Sequence, residues 1–236
     1  MPKTYPANGF RGDGGDGMKK ATKATKITVV VLALLAAVVI YYGAEVMLAR
    51  ATTAATVETC YKSGRVKMTA NDLSPSQRAV LLKIEDPDFY GHRGVDFHTP
   101  GAGWTTITQG LAKGFYFEKF QSGPMKIKQT LCARFALDPL VDKETQLTLF
   151  INLMYFGNGV YGLTDAAAYY FHKPVAELTE DEYIALIGCL ISPNRLNVKS
   201  HPRENAQRVQ RIKKVLSGVY TPKGLFDITY EDADKI

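Results

Sequence analysis

The sequence predicts a mainly α-helical domain after a single N-terminal transmembrane helix. Residues 27–44 contain no charged side chain and are long enough to cross most of a bilayer core of about 30 Å. Beyond them, apolar residues recur at helical spacing behind recognisable capping residues, and alternating strand patterns are scarce. The chain has 236 residues, of which 46% are hydrophobic. The part after the apolar segment is therefore large enough for one domain with a sizeable core.

The N-terminal region predicts a membrane topology. Residues 1–26 are rich in Gly and then in Lys, which is typical of a disordered basic tail. Residues 27–49 form the predicted anchor, and the lysines before it indicate a cytoplasmic N-terminus and an exported C-terminal part. A cleaved signal peptide is the alternative. Its apolar core is normally shorter, so a retained anchor is favoured.

Charge and cysteine content narrow the classes of partner and site. The net charge of +6 could indicate nucleic acid, but no nucleic-acid motif accompanies it. An anionic lipid surface or a phosphate-bearing substrate fits this charge better. Cys60, Cys132 and Cys189 lie far apart and have neither disulfide-framework nor zinc-ligand spacing. We expect Cys132 and Cys189 to be small core residues.

A helix is predicted directly after a connecting segment, residues 50–72. Ser74 can cap it, Pro75 suits its first position and Gln77 completes a capping box. Pro87 predicts that this helix stops near Glu85. A carboxylate at the negative end of a helix, near apolar neighbours, tends towards a raised pKa and suits a general base. The alternative is a solvated acidic turn.

Capping patterns predict further helices and two polar clusters. The helices run from Asp142 to Asn152, from a capping box at Thr179 to Ile191, from Lys126 to Leu137 and over residues 202–216. The first cluster offers donors for sugar and phosphate oxygens; it comprises Thr105, Thr106, Thr108, Gln109 and Lys113. The second, Lys126 and Lys128, could bind an anion at a helix start. A capped Gly-rich loop and a solvated basic turn are the respective alternatives.

In this order, these segments resemble the peptidoglycan glycosyltransferases of family 51. The first motif of that family is matched in full by Glu85, Asp86, Phe89, His92 and Gly94. The second is matched by Gly103, Thr105, Thr106, Thr108 and Gln109, with Gly110 replacing a Gln and Lys113 downstream. Looser fourth and fifth motifs fall on Lys143, Leu147, Phe150 and Asn152, and on Arg211, Val215 and Leu216. The resemblance gives a domain over residues 73–219, followed by a C-terminal tail, residues 220–236.

The resemblance implies a lysozyme-like transglycosylase that polymerises lipid II into β-1,4 glycan and releases undecaprenyl pyrophosphate. Glu85 would be the general base. Lys113, Lys126 and Lys128 would stabilise negative charge on the pyrophosphate, and Asn152 and Arg211 would brace the cleft. The residues implied to bind the sugars or shape the cleft are Asp86, Phe89, His92, Gly94, Thr105, Thr106, Thr108 and Gln109. The implied partners are lipid II, lipid-linked glycan, the membrane and other cell-wall synthesis proteins, without nucleic acid. The implied location is the bacterial cytoplasmic membrane, with the domain periplasmic or extracellular. Because the fifth motif lies near the end of the sequence, a monofunctional enzyme without a transpeptidase domain is expected.

The third motif departs from the family pattern. Gln129 stands at the position of the family's second acidic catalytic residue, and Met125 replaces its Arg. An amide cannot hold Mg²⁺ or Mn²⁺ as a carboxylate does, so Gln129 weakens the expectation of a divalent metal. These departures leave a catalytically weak, lipid II-binding scaffold in a cell-wall synthesis complex as the alternative function. A lysozyme-like hydrolase is a third possibility.

Overall fold

The computed structural model describes Met1 and residues 14–121 and 123–236, with side chains described from Thr25 onward. The described residues are mainly helical and contain no strand longer than a single antiparallel bridge, between Tyr155 and Tyr161. The helices are α1 (Gly14–Lys62), α2 (Pro75–Glu85), α3 (Ile107–Tyr116), α4 (Pro124–Cys132), α5 (Lys143–Leu153), α6 (Leu163–Phe171), α7 (Glu180–Cys189) and α8 (Pro202–Leu216). The predicted fold class, mainly α after an N-terminal apolar helix, is confirmed.

By its internal contacts the chain divides into two compact units, Met1–Ala44 and Glu45–Ile236. The predicted tail lies largely outside the described residues, as do the side chains of Lys19, Lys20 and Lys23. The stretch of α1 over Thr25–Lys62 is long and apolar enough to cross a membrane.

Helix α1 extends well into the region predicted as a connection. Residues 50–62 are helical, whereas the sequence suggested a linker from residue 50 to residue 72. The reason is tertiary contact, since this part of α1 belongs to the second unit and packs on other segments of it. Glu45 pairs with Lys128 at 2.5 Å, and the Thr53 hydroxyl lies 2.8 Å from the Tyr116 hydroxyl. Arg50 donates to the carbonyl of Phe135 at 2.5 Å.

The predicted caps are present. Ser74 accepts from the backbone N–H of Gln77 at the start of α2, which ends at Glu85 as predicted. Asp142 caps α5, and Thr179 caps α7 through a capping box with Glu182. Helix α8 has the predicted bounds. The helix predicted from Lys126 to Leu137 is α4 followed by a π-helical turn over Ala133–Leu137.

The core forms around α7, whose residues Tyr183–Cys189 are all buried. Helices α2, α6 and α8 pack against α7, and α5 packs on α3. Leu147, Leu149 and Ile151 are buried on α5. The three cysteines are free and buried, which confirms the expectation of core residues for Cys132 and Cys189. This packing brings the C-terminal end of α2 and the middle of α8 to one cavity.

The C-terminal segment, residues 220–236, packs into the fold instead of forming a separate tail after residue 219. Its Tyr230 and Ala233 are buried, and a short 3₁₀ helix runs over Glu231–Lys235. Arg211 of α8 pairs with Asp234 at 2.5 Å. The N–H groups of Gly101 and Gly103 donate to carbonyls of this segment at 2.9 and 2.8 Å. The segment therefore supports the Gly-rich loop.

Candidate active site

The described residues enclose a cavity of about 980 Å³. Its walls come from the end of α2, the Gly-rich loop, α3, the end of α5 and α8. Aromatic side chains contribute much of the surface, and they are Trp104, Phe115, Phe117, Phe120, Phe150, Tyr155 and Tyr161. Apolar walls with a few polar groups are typical of ligand sites.

Glu85, the last residue of α2, lines this cavity and is partly accessible from it. Protein surrounds the carboxyl group, and this burial is the main cause that raises its pKa to about 7. Arg208 opposes the rise and Asp86 adds to it. At neutral pH the carboxyl is therefore close to half ionised, which is the range in which a general base works best.

Arg208 on α8 is the residue of the cavity that the sequence analysis missed. Its side chain is 3% exposed, it lines the cavity, and its guanidinium lies 4.5 Å from the ring centre of Tyr230. Burial lowers its pKa, while Tyr230 and Glu85 act to raise it. A signal was available in the sequence. Arg208 falls on the same helical face as the apolar Val209, Ile212 and Val215, where an arginine is unusual.

Asp86, next to Glu85, points away from the cavity into a buried junction. Its carboxylate lies 2.9 and 3.0 Å from Nε2 of His92 and accepts the first N–H of α3, from Ile107, at 2.9 Å. Nδ1 of His92 accepts from the N–H of Gly94, so Nε2 is the nitrogen that donates to Asp86. Asp86 therefore caps α3 and orients His92.

Gly94 completes this junction in a conformation that favours glycine. Its φ is +83°, and a Cβ atom there would lie 2.8 Å from the carbonyl oxygen of Ala133. The carbonyl of Gly94 accepts from the hydroxyl of Thr106, the N-cap of α3. The first two sequence motifs are thus joined by hydrogen bonds.

Gln129 is buried between α3 and α4 and does not line the cavity. Its Nε2 donates to the carbonyl of Gln109 at 2.7 Å, while its Oε1 has no hydrogen-bond partner among the described residues. Gln109 donates in turn to Thr130 at 2.9 Å. The two glutamines hold α4 against α3.

The predicted cations have different surroundings. Lys126 donates to the hydroxyl of Thr105 at 2.9 Å, and burial together with Lys113 lowers its pKa to about 8. Lys113 lines the cavity with its ammonium 5.1 Å from the ring centre of Phe120. Lys128 is engaged with Glu45 of α1. Two of the three lysines are therefore placed at the cavity.

The predicted site residues thus divide into two groups. Those lining the cavity are Glu85, Thr105, Thr106 and Lys113, and Lys126 reaches it through Thr105. The rest hold the fold behind it. Phe89 is buried, Thr108 donates to Gln146 at 2.6 Å, and Asn152 accepts from the backbone N–H of Lys67 at 2.8 Å. Gly110 also lines the cavity, where its missing side chain leaves room beside Phe150.

The described residues show no cluster of ligands that marks a divalent-metal site. The described residues contain no group of three His, Cys, Asp or Glu side chains placed to hold such an ion. The carboxylate nearest in sequence to Glu85, that of Asp86, is already occupied by His92 and Ile107.

Comparison with known proteins assigns the chain to a family. The model of the transglycosylase family matches residues 99–217, half of the chain. The match begins after the first motif, so the assignment of Glu85 depends on its own motif and on the cavity.

Several relatives are penicillin-binding proteins. The chain is 30% identical over 165 residues to penicillin-binding protein 1F of Bacillus subtilis, covering 64% of this chain and 23% of that protein. It is 30% identical over 183 residues to penicillin-binding protein 1A of Escherichia coli, covering 72% of this chain and 21% of that protein. Penicillin-binding protein 4 of B. subtilis is also 30% identical, over 68% of this chain and 28% of its own length. The chain thus spans between a fifth and about a quarter of the length of these relatives.

Proposed function

The chain belongs to the transglycosylase family, and from this premise we propose that it polymerises lipid II into β-1,4-linked glycan. The observation that carries the proposal is Glu85, a carboxyl group of raised pKa on the wall of the large cavity. Family membership supports glycosyl transfer as the class of reaction. The identity of the substrates as lipid-linked sugars is proposed here and is open to direct test.

In the proposed reaction Glu85 is the general base. Its ionised carboxylate accepts the proton of the acceptor's 4-hydroxyl as the oxygen attacks the anomeric carbon of the donor. The bond from that carbon to the pyrophosphate oxygen breaks, the configuration inverts, and undecaprenyl pyrophosphate leaves with the bonding electron pair. General-base catalysis contributes on the order of 10²- to 10⁴-fold in rate, so the loss of Glu85 should nearly abolish activity.

Charge on the leaving pyrophosphate requires fixed donors. Lys113 lines the cavity, and Lys126 is held at its edge by the hydroxyl of Thr105. Pre-positioned cations in a poorly hydrated site stabilise developing negative charge more strongly than they would in water. Partial burial and the neighbouring charge of Lys113 both lower the pKa of Lys126. An anion that binds between the two ammonium groups would relieve their repulsion.

Anchoring at a membrane fits lipid-linked substrates. The apolar stretch of α1 is long enough to span a bilayer, and Thr56 and Cys60 from the end of the same helix line the cavity. We therefore place the enzyme at the bacterial cytoplasmic membrane with its N-terminus in the cytoplasm and the cavity on the other side. Other cell-wall synthesis proteins are its proposed partners.

The direct experiment is polymerisation of labelled lipid II by the detergent-solubilised full chain, beside Glu85→Gln. Glycan polymer from the wild type and at least a hundredfold less from Glu85→Gln is the expected result. A parallel pair of reactions, one with added Mg²⁺ and one with EDTA, tests metal dependence; equal rates are expected because Gln129 stands where the family has a carboxylate. Polymerisation by a well-folded Glu85→Gln at the wild-type rate would contradict the proposal.

A lipid II-binding scaffold is the second candidate, and the departures at Met125, Gln129 and Gly110 favour it. The same experiment separates the two functions. A wild-type protein that binds labelled lipid II, shows a normal melting transition and forms no polymer would be a scaffold. The placement of Gln129 away from the cavity argues for the enzyme, because its amide replaces no group on the cavity wall.

A further inference from the structure

Arg208 occupies an environment that the packing of the core does not explain. It is 3% exposed, yet Nε and Nη1 of its guanidinium have no hydrogen-bond partner among the described residues. Burying charged donors without partners is costly, because each donor loses its hydrogen bonds to water. The same side chain lines the cavity that Glu85 lines.

The charges around Glu85 single out Arg208. Four titratable groups interact electrostatically with Glu85. Asp86 follows it in the chain, Cys189 lies on α7, Arg208 lies on α8 and Tyr230 lies on the C-terminal segment. Of these, Arg208 carries the positive charge. Asp86 is negative, and burial raises the pKa values of Cys189 and Tyr230, which keeps both neutral near pH 7.

Tyr230 fixes the position of this arginine. Its ring lies under the guanidinium at 4.5 Å, and the Tyr230 hydroxyl and the Arg208 charge interact electrostatically. The ring is buried, and the backbone at Tyr230 adopts a positive φ of 53°, which is unusual for a bulky residue. The C-terminal segment is thus shaped to bring this ring against Arg208.

We propose that Arg208, clamped by Tyr230, is a positioning residue that holds the Glu85 carboxylate ionised and oriented to take the proton from the acceptor hydroxyl. This inference deepens the proposed function and rests on it. It also gives the C-terminal segment a part in catalysis, although none of the segment's charged groups needs to touch substrate. When Glu85 ionises, its carboxylate interacts favourably with the positive charge of Arg208.

The test follows the ionisation of Glu85 directly, without substrate. The full chain in detergent is labelled with ¹³C at its glutamate carboxyl groups, and the resonance missing from Glu85→Gln identifies Glu85. Titration from pH 4.5 to 9 should give a midpoint near 7 in the wild type. We expect an upward shift of about one pH unit in Arg208→Met, since this variant removes the positive charge that lowers the pKa of Glu85. Arg208→Lys, which keeps the charge, should shift by less than half as much.

Matched variants separate this role from a structural one. Lys213→Met removes a positive charge from the same helix at an exposed ion pair with Asp181 and should leave the midpoint unchanged. Arg208→Gln replaces Arg208→Met if the latter shows no melting transition. Tyr230→Phe keeps the ring but loses the hydroxyl, and should give a smaller upward shift. The proposal is overturned if the Glu85 midpoint is the same in the wild type and in every folded variant of Arg208 and Tyr230.

Rates of lipid II polymerisation give the second readout. In Arg208→Met the acidic limb of the rate should move up with the carboxyl midpoint, and the rate at pH 9 should recover to within about threefold of the wild type. An equal loss at every pH would mean that Arg208 binds substrate or supports the fold, and would contradict the positioning role. If the wild type itself forms no polymer, the proposed function fails, while the carboxyl titration still decides whether Arg208 controls Glu85.

Discussion

Glu85 and Asp86 are adjacent residues of one motif, yet their side chains lie in opposite environments, one on the cavity wall and the other in the buried junction behind it. Glu85 faces the cavity with a raised pKa. Asp86 is 1% exposed and is satisfied by His92 and by the first N–H of α3. One motif can therefore supply both a reactive group and the residues that hold it in position. Only the reactive group is left without enough partners to favour its charge.

The largest change in stability is expected from a substitution that disrupts the junction. Asp86→Asn replaces a carboxylate that accepts two charge-assisted hydrogen bonds with an amide whose N–H₂ group must face one of the same donors. Such bonds contribute about 1.5–3 kcal/mol each, so the free energy of unfolding should fall by about 3–6 kcal/mol. Thermal melts should show this loss. A melting temperature equal to that of the wild type would mean that the junction does not support α3.

The next effect restores the family's acidic residue. Gln129→Glu removes the hydrogen bond to the carbonyl of Gln109 and places a carboxyl group where the side chain is 1% exposed. We expect a loss of about 4 kcal/mol at pH 7, combining the lost bond with the cost of burying or protonating the carboxyl group. Chemical denaturation measures it. An unchanged stability together with a new stimulation by Mg²⁺ would show instead that this position serves the cavity.

Glu85→Gln should instead increase the free energy of unfolding at neutral and alkaline pH. The folded pKa of about 7 lies above the ordinary value of 4.5, so the folded state favours the protonated carboxyl. The charge therefore destabilises the fold increasingly as the pH rises from 4.5 to 7, by up to about 3 kcal/mol. Glu85→Gln, which resembles the protonated form, should be more stable than the wild type at pH 8 and equal to it below pH 4.5. Melting curves at both pH values check this, and a loss of stability at pH 8 would contradict it.

The smallest effect concerns the cation side of the cavity. With its pKa lowered to about 8, Lys126 loses its charge as the pH rises through that value. Polymerisation should therefore decline above pH 8 by up to about tenfold. Lys126→Arg stays charged and should remove the decline, since an arginine titrates only above pH 12. If the alkaline decline persists in Lys126→Arg, another group is responsible.

Local patterns predicted the helices well because caps and prolines act over a few residues. The bounds of α2 and α8 and the caps of α5 and α7 follow from Ser74, Asp142, Thr179 and their neighbours. The linker and the C-terminal tail differ because distant contacts determine them. The pairs Glu45–Lys128 and Arg211–Asp234 join segments far apart in the sequence, and no local pattern reveals such partners.

The sequence predicted which residues belong to the site better than it predicted which of their side chains face the cavity. Glu85, Thr105 and Lys113 line the cavity, whereas Gln129 and Asn152 brace the helices behind it. Which motif side chains face a cavity depends on how helices pack, and spacing alone does not show this. Arg208 was missed although its place on the buried face of α8 was a readable signal.

The most direct test of the central claim is the rate of lipid II polymerisation by the wild type from pH 5 to pH 9. A general base must be ionised, so a carboxyl group of pKa about 7 predicts a rate that falls tenfold per pH unit below pH 6, with a midpoint near 7. Glu85→Gln should lack this dependence in whatever residual rate remains. A wild-type rate that stays constant down to pH 5 would contradict the account, because Glu85 would then not be the group that takes the proton.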